Sequence, residues 1–425
     1  MNIISSGEAY VRYAHEGIWI FGNSCFENTV AYDEKEGLRH VKVRDTANSS
    51  VFMPGSKSGL FSVRINLKKY DGRNFKLNNW TVTEISQGEV LLDFHLLCNE
   101  IPLEIKLSFR IVNGAPAWQQ RLTLKTESEG FCIHGLSPLE YKFDMECIQA
   151  IAYYMKGCKH QGCTPADLAD IPYEDFRLEA AELGRVFIKS GRRATEDYLP
   201  YLFTNSTRDK TGLFMGVQWS GHWFLDACND RDASETRKSI SVSAGPDEFM
   251  HILEPGREFF SPRCYIGLYK GDISDAAHAH KKFLETAVIP GKPYEELPVT
   301  YNTWYAMDTG ISESLLMREA DVAAKLGVEY FIIDAGWYGG SKHEYSSNCN
   351  FSTGLGDWKE DRLKFPSGIA SFSDYVHSKG MKFGLWVEPE RVDLRTFTEG
   401  GWKKEWLAGN EKGEIYELKW DPHHS

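Results

Sequence analysis

Acidic or amide side chains stand beside indoles at three points late in the 425-residue chain. The segments read Asn302-Thr303-Trp304, Asp334-Ala335-Gly336-Trp337 and Trp386-Val387-Glu388-Pro389-Glu390. A carboxylate accepts hydrogen bonds from hydroxyl groups and an indole covers an apolar C–H face, so the combination suits a sugar. Any one of them reads equally well as an N-cap or loop carboxylate in water. Three at equivalent points in successive units favour a shared pocket. No G-x-G-x-x-G follows a strand, which argues against a dinucleotide site. Cys158-Lys159-His160-Gln161-Gly162-Cys163 offers two soft ligands and a His, but no second pair stands nearby at zinc-finger spacing, so no metal is expected.

The elements that position these segments form a repeat. Leu315, Leu316, Ala320, Ala323 and Leu326 have helical spacing, Gly327 can end the helix, and Val328–Ile333 is an apolar run closing on Asp334. Ile369, Phe372, Tyr375 and Val376 then form a second stripe. Gly380 ends it, and Met381–Val387 leads to Glu388. With an earlier strand at Val299–Trp304, this is the order of βα units in a parallel sheet, whose ligands lie beyond the C-terminal strand ends. Before residue 290 the pattern is different. Leu103, Ile105, Leu107, Phe109 and Ile111 alternate with polar residues, as do Val63, Ile65 and Leu67. Such alternation predicts antiparallel sheets with one face on a core. Tyr70-Asp71-Gly72 and Asn113-Gly114 read as turns, and a helix is expected over Ile273–Ala287 through Ala276, Ala277, His280 and Leu284. Pro290-Gly291-Lys292-Pro293 marks the boundary, giving domains of 1–290 and 298–425.

Composition narrows the partners. The net charge of −12 disfavours nucleic acid and anionic membrane surfaces but leaves a neutral ligand open. Nine scattered Cys fit reduced thiols better than a disulfide framework, and the N-terminal stretch has neither a basic nor an apolar leader region. A cytoplasmic location is the expectation.

Five blocks in a fixed order carry a resemblance. Tyr301-Asn302-Thr303-Trp304, Ile333–Tyr338, Gly356-Asp357-Trp358, Lys364–Gly368 and Gly380–Val392 resemble the bacterial α-galactosidases of glycoside hydrolase family 36, the melibiase-like enzymes. Ser190-Gly191-Arg192 and Gly216–Trp223 look similar too. The resemblance implies an N-terminal β-supersandwich followed by a (β/α)8 TIM barrel, often in a homotetramer, with no metal or organic cofactor. It implies that Asp334 binds galactose hydroxyls, that Trp337, Asp357 and Trp358 shape the sugar site, and that Trp386 lines the barrel's inner wall. Glu388 and Glu390 fall in a family signature; Glu388 is taken as a site residue and Glu390 as structural. Many members carry a second Asp where this chain has Ala335, so hydroxyl recognition is expected to differ there. Retaining glycosidases need two carboxyl groups about 5–5.5 Å apart. The resemblance assigns the nucleophile to Asp421 of Leu418-Lys419-Trp420-Asp421, with Lys419 a hydroxyl donor. Against this, the proposed strand Glu414–Trp420 is interrupted by Glu417, and the segment reads also as part of a long loop.

A full barrel takes roughly 250 residues, whereas 128 run from Pro298 to Ser425. The expectation is therefore the first half of the barrel, with the family's general acid beyond it and little hydrolysis by this stretch alone. The leading functional expectation is a retaining α-galactosidase acting on terminal α-galactosyl units of oligosaccharides. The alternatives are an α-N-acetylgalactosaminidase, a non-catalytic galactoside-binding protein and an oligomerisation module.

Overall fold

The computed structural model describes residues 2–15, 17–46, 51–54, 59–144, 150–158, 177–208, 210–231, 238–289, 291, 297–339, 354–388, 391–401, 403 and 407. The chain divides into two compact units between residues 293 and 294.

The first unit is built almost wholly of antiparallel strands. One ten-stranded sheet starts as a meander, from Asn2–Ser6 and Ala9–Tyr13 to Gly37–Asp45. It continues through Leu139–Asp144, Lys238–Pro246, Trp223–Arg231 and Arg185–Lys189. A second ten-stranded sheet holds Phe75–Ser86, Glu89–Cys98, Glu104–Val112 and Ala117–Lys125, continues through Arg263–Lys270, and ends at Leu178–Glu182. The alternation foreseen at 103–111 places Ile105, Leu107, Phe109 and Ile111 in the core. Aromatic rings close the gap between the sheets: Trp19 meets Phe94 at 4.9 Å, Phe21 meets Phe109 at 4.8 Å and Phe26 meets Trp118 at 5.2 Å. Rings at these separations add to the stabilisation that buried area provides.

Two local expectations are corrected. The strand through Val63 and Ile65 stops there, and Leu67 is 71% exposed. Asn66 and Leu67 both have positive φ and form a two-residue hairpin turn joining Ser62–Ile65 to Lys68–Asp71. The turn sets the register and overrides the apolar alternation. The helix after residue 272 is α-helical over Ile273–Phe283 and continues as a wider turn over Leu284–Val288. Ala276, His280 and Phe283 are its buried face, and Ala277 lies outside it. Asp272 caps the helix through the Ser274 and Asp275 N–H groups.

The second unit contains a three-stranded parallel sheet, Thr300–Asn302, Tyr330–Ile333 and Lys382–Leu385, in that spatial order. Glu313–Lys325 and Ile369–Ser378 are the helices between the strands, as in the opening βα units of a barrel. Leu316, Ala320 and Ala323 of the first helix and Phe372 and Val376 of the second are buried with Phe331 and Ile333. Gly327 and Gly380, both at positive φ, end the helices as foreseen, while Leu326 is 76% exposed. The second helix starts at Gly368, and the Glu360 carboxylate accepts the Ile369 N–H at 2.6 Å in place of an N-cap side chain. The first strand is shorter than expected. It ends at Asn302, and Trp304 opens a one-turn helix, Trp304–Met307.

Candidate active site

The C-terminal ends of the three parallel strands are bound to one another. Asn302 accepts the Trp304 N–H on Oδ1 at 2.8 Å, which turns its Nδ2 to donate to Asp334 Oδ2 at 2.8 Å. The other oxygen, Asp334 Oδ1, accepts the Ala335 N–H at 2.8 Å, and the Asp334 N–H donates to Thr303 Oγ1 at 3.0 Å. Asp334 is thereby fixed by neutral amides and keeps lone-pair capacity on both oxygens, the condition for accepting ligand hydroxyls.

A sharp turn follows. Gly336 has φ +95, and a Cβ there would lie 2.8 Å from Thr309 Cα, so this backbone excludes a side chain. Lys364 Nζ donates to the carbonyls of Gly336 at 2.7 Å and Thr309 at 2.8 Å, pinning both sides of the turn. Trp337 then donates its indole N–H to the Trp386 carbonyl at 2.9 Å, joining the second strand end to the third. Trp337 is 5% exposed, so its ring belongs to the wall. It stacks on Trp358 at 6.1 Å, and Trp358 meets Trp386 edge-on at 6.2 Å. Both Trp358 and Trp386 are only half-buried, unlike Trp337. Trp358 has φ +48, a left-handed conformation that costs a bulky residue about 1–3 kcal/mol and collects at functional sites.

Tyr338 is fully buried beside Trp337 and packs on Trp358 and Trp386. Burial pushes its hydroxyl pKa well above the ordinary value, and the Glu388 and Asp334 carboxylates push it further in the same direction while Arg391 opposes them. The Glu388 carboxylate is gripped by the Arg391 guanidinium through Nε and Nη2. Asp357 pairs with Lys359 at 3.1 Å on the loop before Trp358. Glu390, Lys419 and Asp421 lie outside the described residues, as do His160 and Cys163. Among the described residues no group of three or more His, Cys, Asp or Glu could hold a metal.

The structure thus joins Trp337, Trp358 and Trp386 through contacts, ties Asp334 to Asn302 and Thr303, and pairs Glu388 with Arg391. Sequence reasoning missed Tyr338, Lys364 and Arg391. All three sat inside the quoted motifs, but nothing local distinguished a wall phenol, a turn-pinning ammonium or a guanidinium clamp from ordinary loop residues.

These strand ends, with the helices between them, are those of successive βα units in a parallel sheet. Residues 258–398 match the Melibiase family model. Over 230 residues, 52% of this chain and 30% of the relative, the sequence is 30% identical to an α-galactosidase of Lactobacillus acidophilus. It is 33% identical to α-galactosidase 1 of Pediococcus pentosaceus over 36% of this chain and 20% of that protein. Among solved structures, the galactosidase domain of the α-galactosidase–sucrose kinase AgaSK superposes with a TM-score of 0.72 at 16% identity, covering 92% of this chain and 60% of that one. AgaB, a glycoside hydrolase family 36 α-galactosidase of Geobacillus stearothermophilus, gives 0.71 at 16% identity over 92% and 59%. A variant of AgaA from the same organism has been solved with raffinose. The matches span less than two thirds of these relatives. The chain is thus similar in sequence to α-galactosidases over part of its length, and its fold resembles that of the family 36 structures.

Proposed function

We propose that this chain is part of a retaining α-galactosidase that takes terminal α-galactosyl units of raffinose-type oligosaccharides. The observation that carries the reading is Asp334, oriented by Asn302 and Thr303 at the end of a parallel strand and adjoining a wall of indoles. Asp334 accepts two sugar hydroxyls, and Trp358 or Trp386 covers the ring's C–H face. Glu388, neutralised by Arg391, gives the sugar a weaker acceptor than Asp334 does. Ala335 lacks the second carboxylate of many relatives, which leaves more of the hydroxyl recognition to Asp334. Asp421 is the proposed nucleophile and Lys419 a proposed hydroxyl donor. A second carboxyl group about 5–5.5 Å from Asp421 would protonate the departing oxygen and take the attacking water's proton in the second step. A cytoplasmic location and a homo-oligomer are part of the proposal. They are supported by the scattered spacing of the nine Cys and by the family resemblance.

Calorimetry on the 425-residue chain tests the binding step. Galactose binds better than glucose, its C4 epimer, and Asp334→Asn weakens galactose by about tenfold to a hundredfold, the worth of a charge-assisted hydrogen bond. Unchanged galactose affinity in Asp334→Asn would remove the reading. Comparing nitrophenyl α-galactoside with its N-acetylgalactosaminide in a polypeptide that hydrolyses either one separates the two specificities. Asp421→Asn then abolishes turnover without weakening galactose.

A further inference from the structure

A cavity of about 580 Å³ lies wholly within the first unit. Its floor is the outward face of the strands Leu139–Asp144, Lys238–Pro246, Trp223–Arg231 and Arg185–Lys189, the face turned away from the aromatic core. Its other wall includes the hairpin of Ser62–Ile65 and Lys68–Asp71. The register builds a row across the four strands: Phe187 stands opposite Asp226, Asp226 opposite Ser243, and Ser243 opposite Glu140.

Each member of this row presents something a neutral polyol can use. Phe187 stacks on Phe224 with centroids 5.9 Å apart and planes at 16°, yet it is 49% exposed, which leaves an aromatic face in the cavity. Asp226 is held in bidentate fashion by Arg185, through Nε at 3.1 Å and Nη2 at 2.8 Å. Glu140 accepts Ser62 Oγ at 2.5 Å and Lys69 Nζ at 3.2 Å from the opposite wall. The carboxylates are thus fixed in direction by partners that leave further lone pairs for hydroxyl donors.

Charge selects the ligand class. Arg64, Lys69, Lys142 and Arg185 line the cavity against Glu140, Asp226, Asp247 and Glu248, so the formal charges cancel. A phosphate or polyanion gains nothing from such a lining, and neither does a cation. The volume falls within the ~300–1,000 Å³ of small-molecule sites. We propose that this cavity is a second, non-catalytic site for a short neutral oligosaccharide, whose pyranose C–H face lies on the Phe187–Phe224 pair and whose hydroxyls donate to Asp226 and Glu140. This site stands independently of the hydrolase reading, because none of its residues comes from the barrel.

The test uses the 425-residue chain carrying Asp334→Asn, which weakens the barrel site, with raffinose, maltotriose and cellotriose as probes in calorimetry and saturation-transfer NMR. At least one of the three binds with a dissociation constant on the order of 1 mM. Adding Phe187→Ala weakens that binding about tenfold, the worth of one aromatic contact, and Phe187→Trp restores it. Phe187 is a surface residue, so an unchanged melting temperature verifies that the variant folds. The proposal is overturned if none of the three sugars binds, or if Phe187→Ala leaves the affinity unaltered. It is equally overturned if sedimentation shows the cavity closed between two copies that Phe187→Ala separates. Loss of galactose binding on Asp334→Asn alone reports on the barrel, and the sugar response of Phe187 reports on this cavity.

Discussion

The two units use the same residue types in opposite geometries. In the first, long antiparallel strands put alternate side chains on a face, so Asp226, Ser243 and Glu140 become neighbours by cross-strand register. In the second, strands of three or four residues run parallel, and what they bring together are their ends: Asn302 to Asp334 and Trp337 to Trp386. The electrostatics differ as well. Asp226 and Glu140 are held by Arg185 and Lys69, whereas the hydrogen bonds to Asp334 come from an amide side chain and a backbone N–H. A carboxylate fixed by neutral amides retains more of its charge for a ligand than one already neutralised by a guanidinium. Face-built and end-built sites therefore respond to different perturbations.

The largest expected effect breaks the second unit alone. Phe331 is fully buried between Tyr301 and Phe372, and Phe331→Ala should cost about 3–5 kcal/mol through lost transfer energy and the cavity left behind. Limited proteolysis should then cut within residues 297–401 while the antiparallel unit stays resistant. Equal loss in both units would show that they do not melt separately.

The next effect belongs to the first unit and to acid. Burial lowers the His280 pKa to about 4, and its Nε2 lies 2.7 Å from the Tyr265 hydroxyl. The folded value is below the unfolded one of about 6.5, so the unfolded chain takes up the proton first. Stability is complete above pH 6.5 and is lost as pH falls from there to about 4, by on the order of 3 kcal/mol. Urea titrations at several pH values should give a shallower acid slope for His280→Phe than for the parent. Identical slopes would exclude His280 as the source.

A smaller effect sharpens the contrast at the strand ends. Gly336→Ala puts a Cβ against Thr309 at positive φ and should cost about 1–3 kcal/mol. Because the turn aims Trp337, galactose affinity should fall together with the melting temperature. The smallest expected effect is that of Asn302→Ala, at about 0.5–1.5 kcal/mol in binding rather than stability, since it unfixes Asp334 without opening the core. A change in the melting temperature with no change in galactose affinity would reverse the roles assigned to these two residues.

Much of the architecture is legible in the residue order. The period-two runs, the helix–glycine–strand–acid repeat and the five motif blocks depend on neighbours close along the chain, which is where periodicity is informative. Leu67 escaped because turn geometry outranked alternation, and Leu326 because a helix end lies beyond the packed stripe. The carboxylate–indole grouping was visible as strand ends, but the wall role of Trp337 was not. Its burial depends on Trp358 and Trp386, 21 and 49 positions further on.

By itself the amino-acid order determined where strands alternate, where glycines stop helices and which acids close the parallel strands, because backbone sterics and hydrophobic periodicity act locally. Only the tertiary structure decided that Trp337 packs on Trp358 and Trp386, that Asn302 aims Asp334, and that Phe187, Asp226 and Glu140 share a cavity. Those outcomes rest on register and on contacts between distant segments, and no local pattern encodes a distance across a sheet.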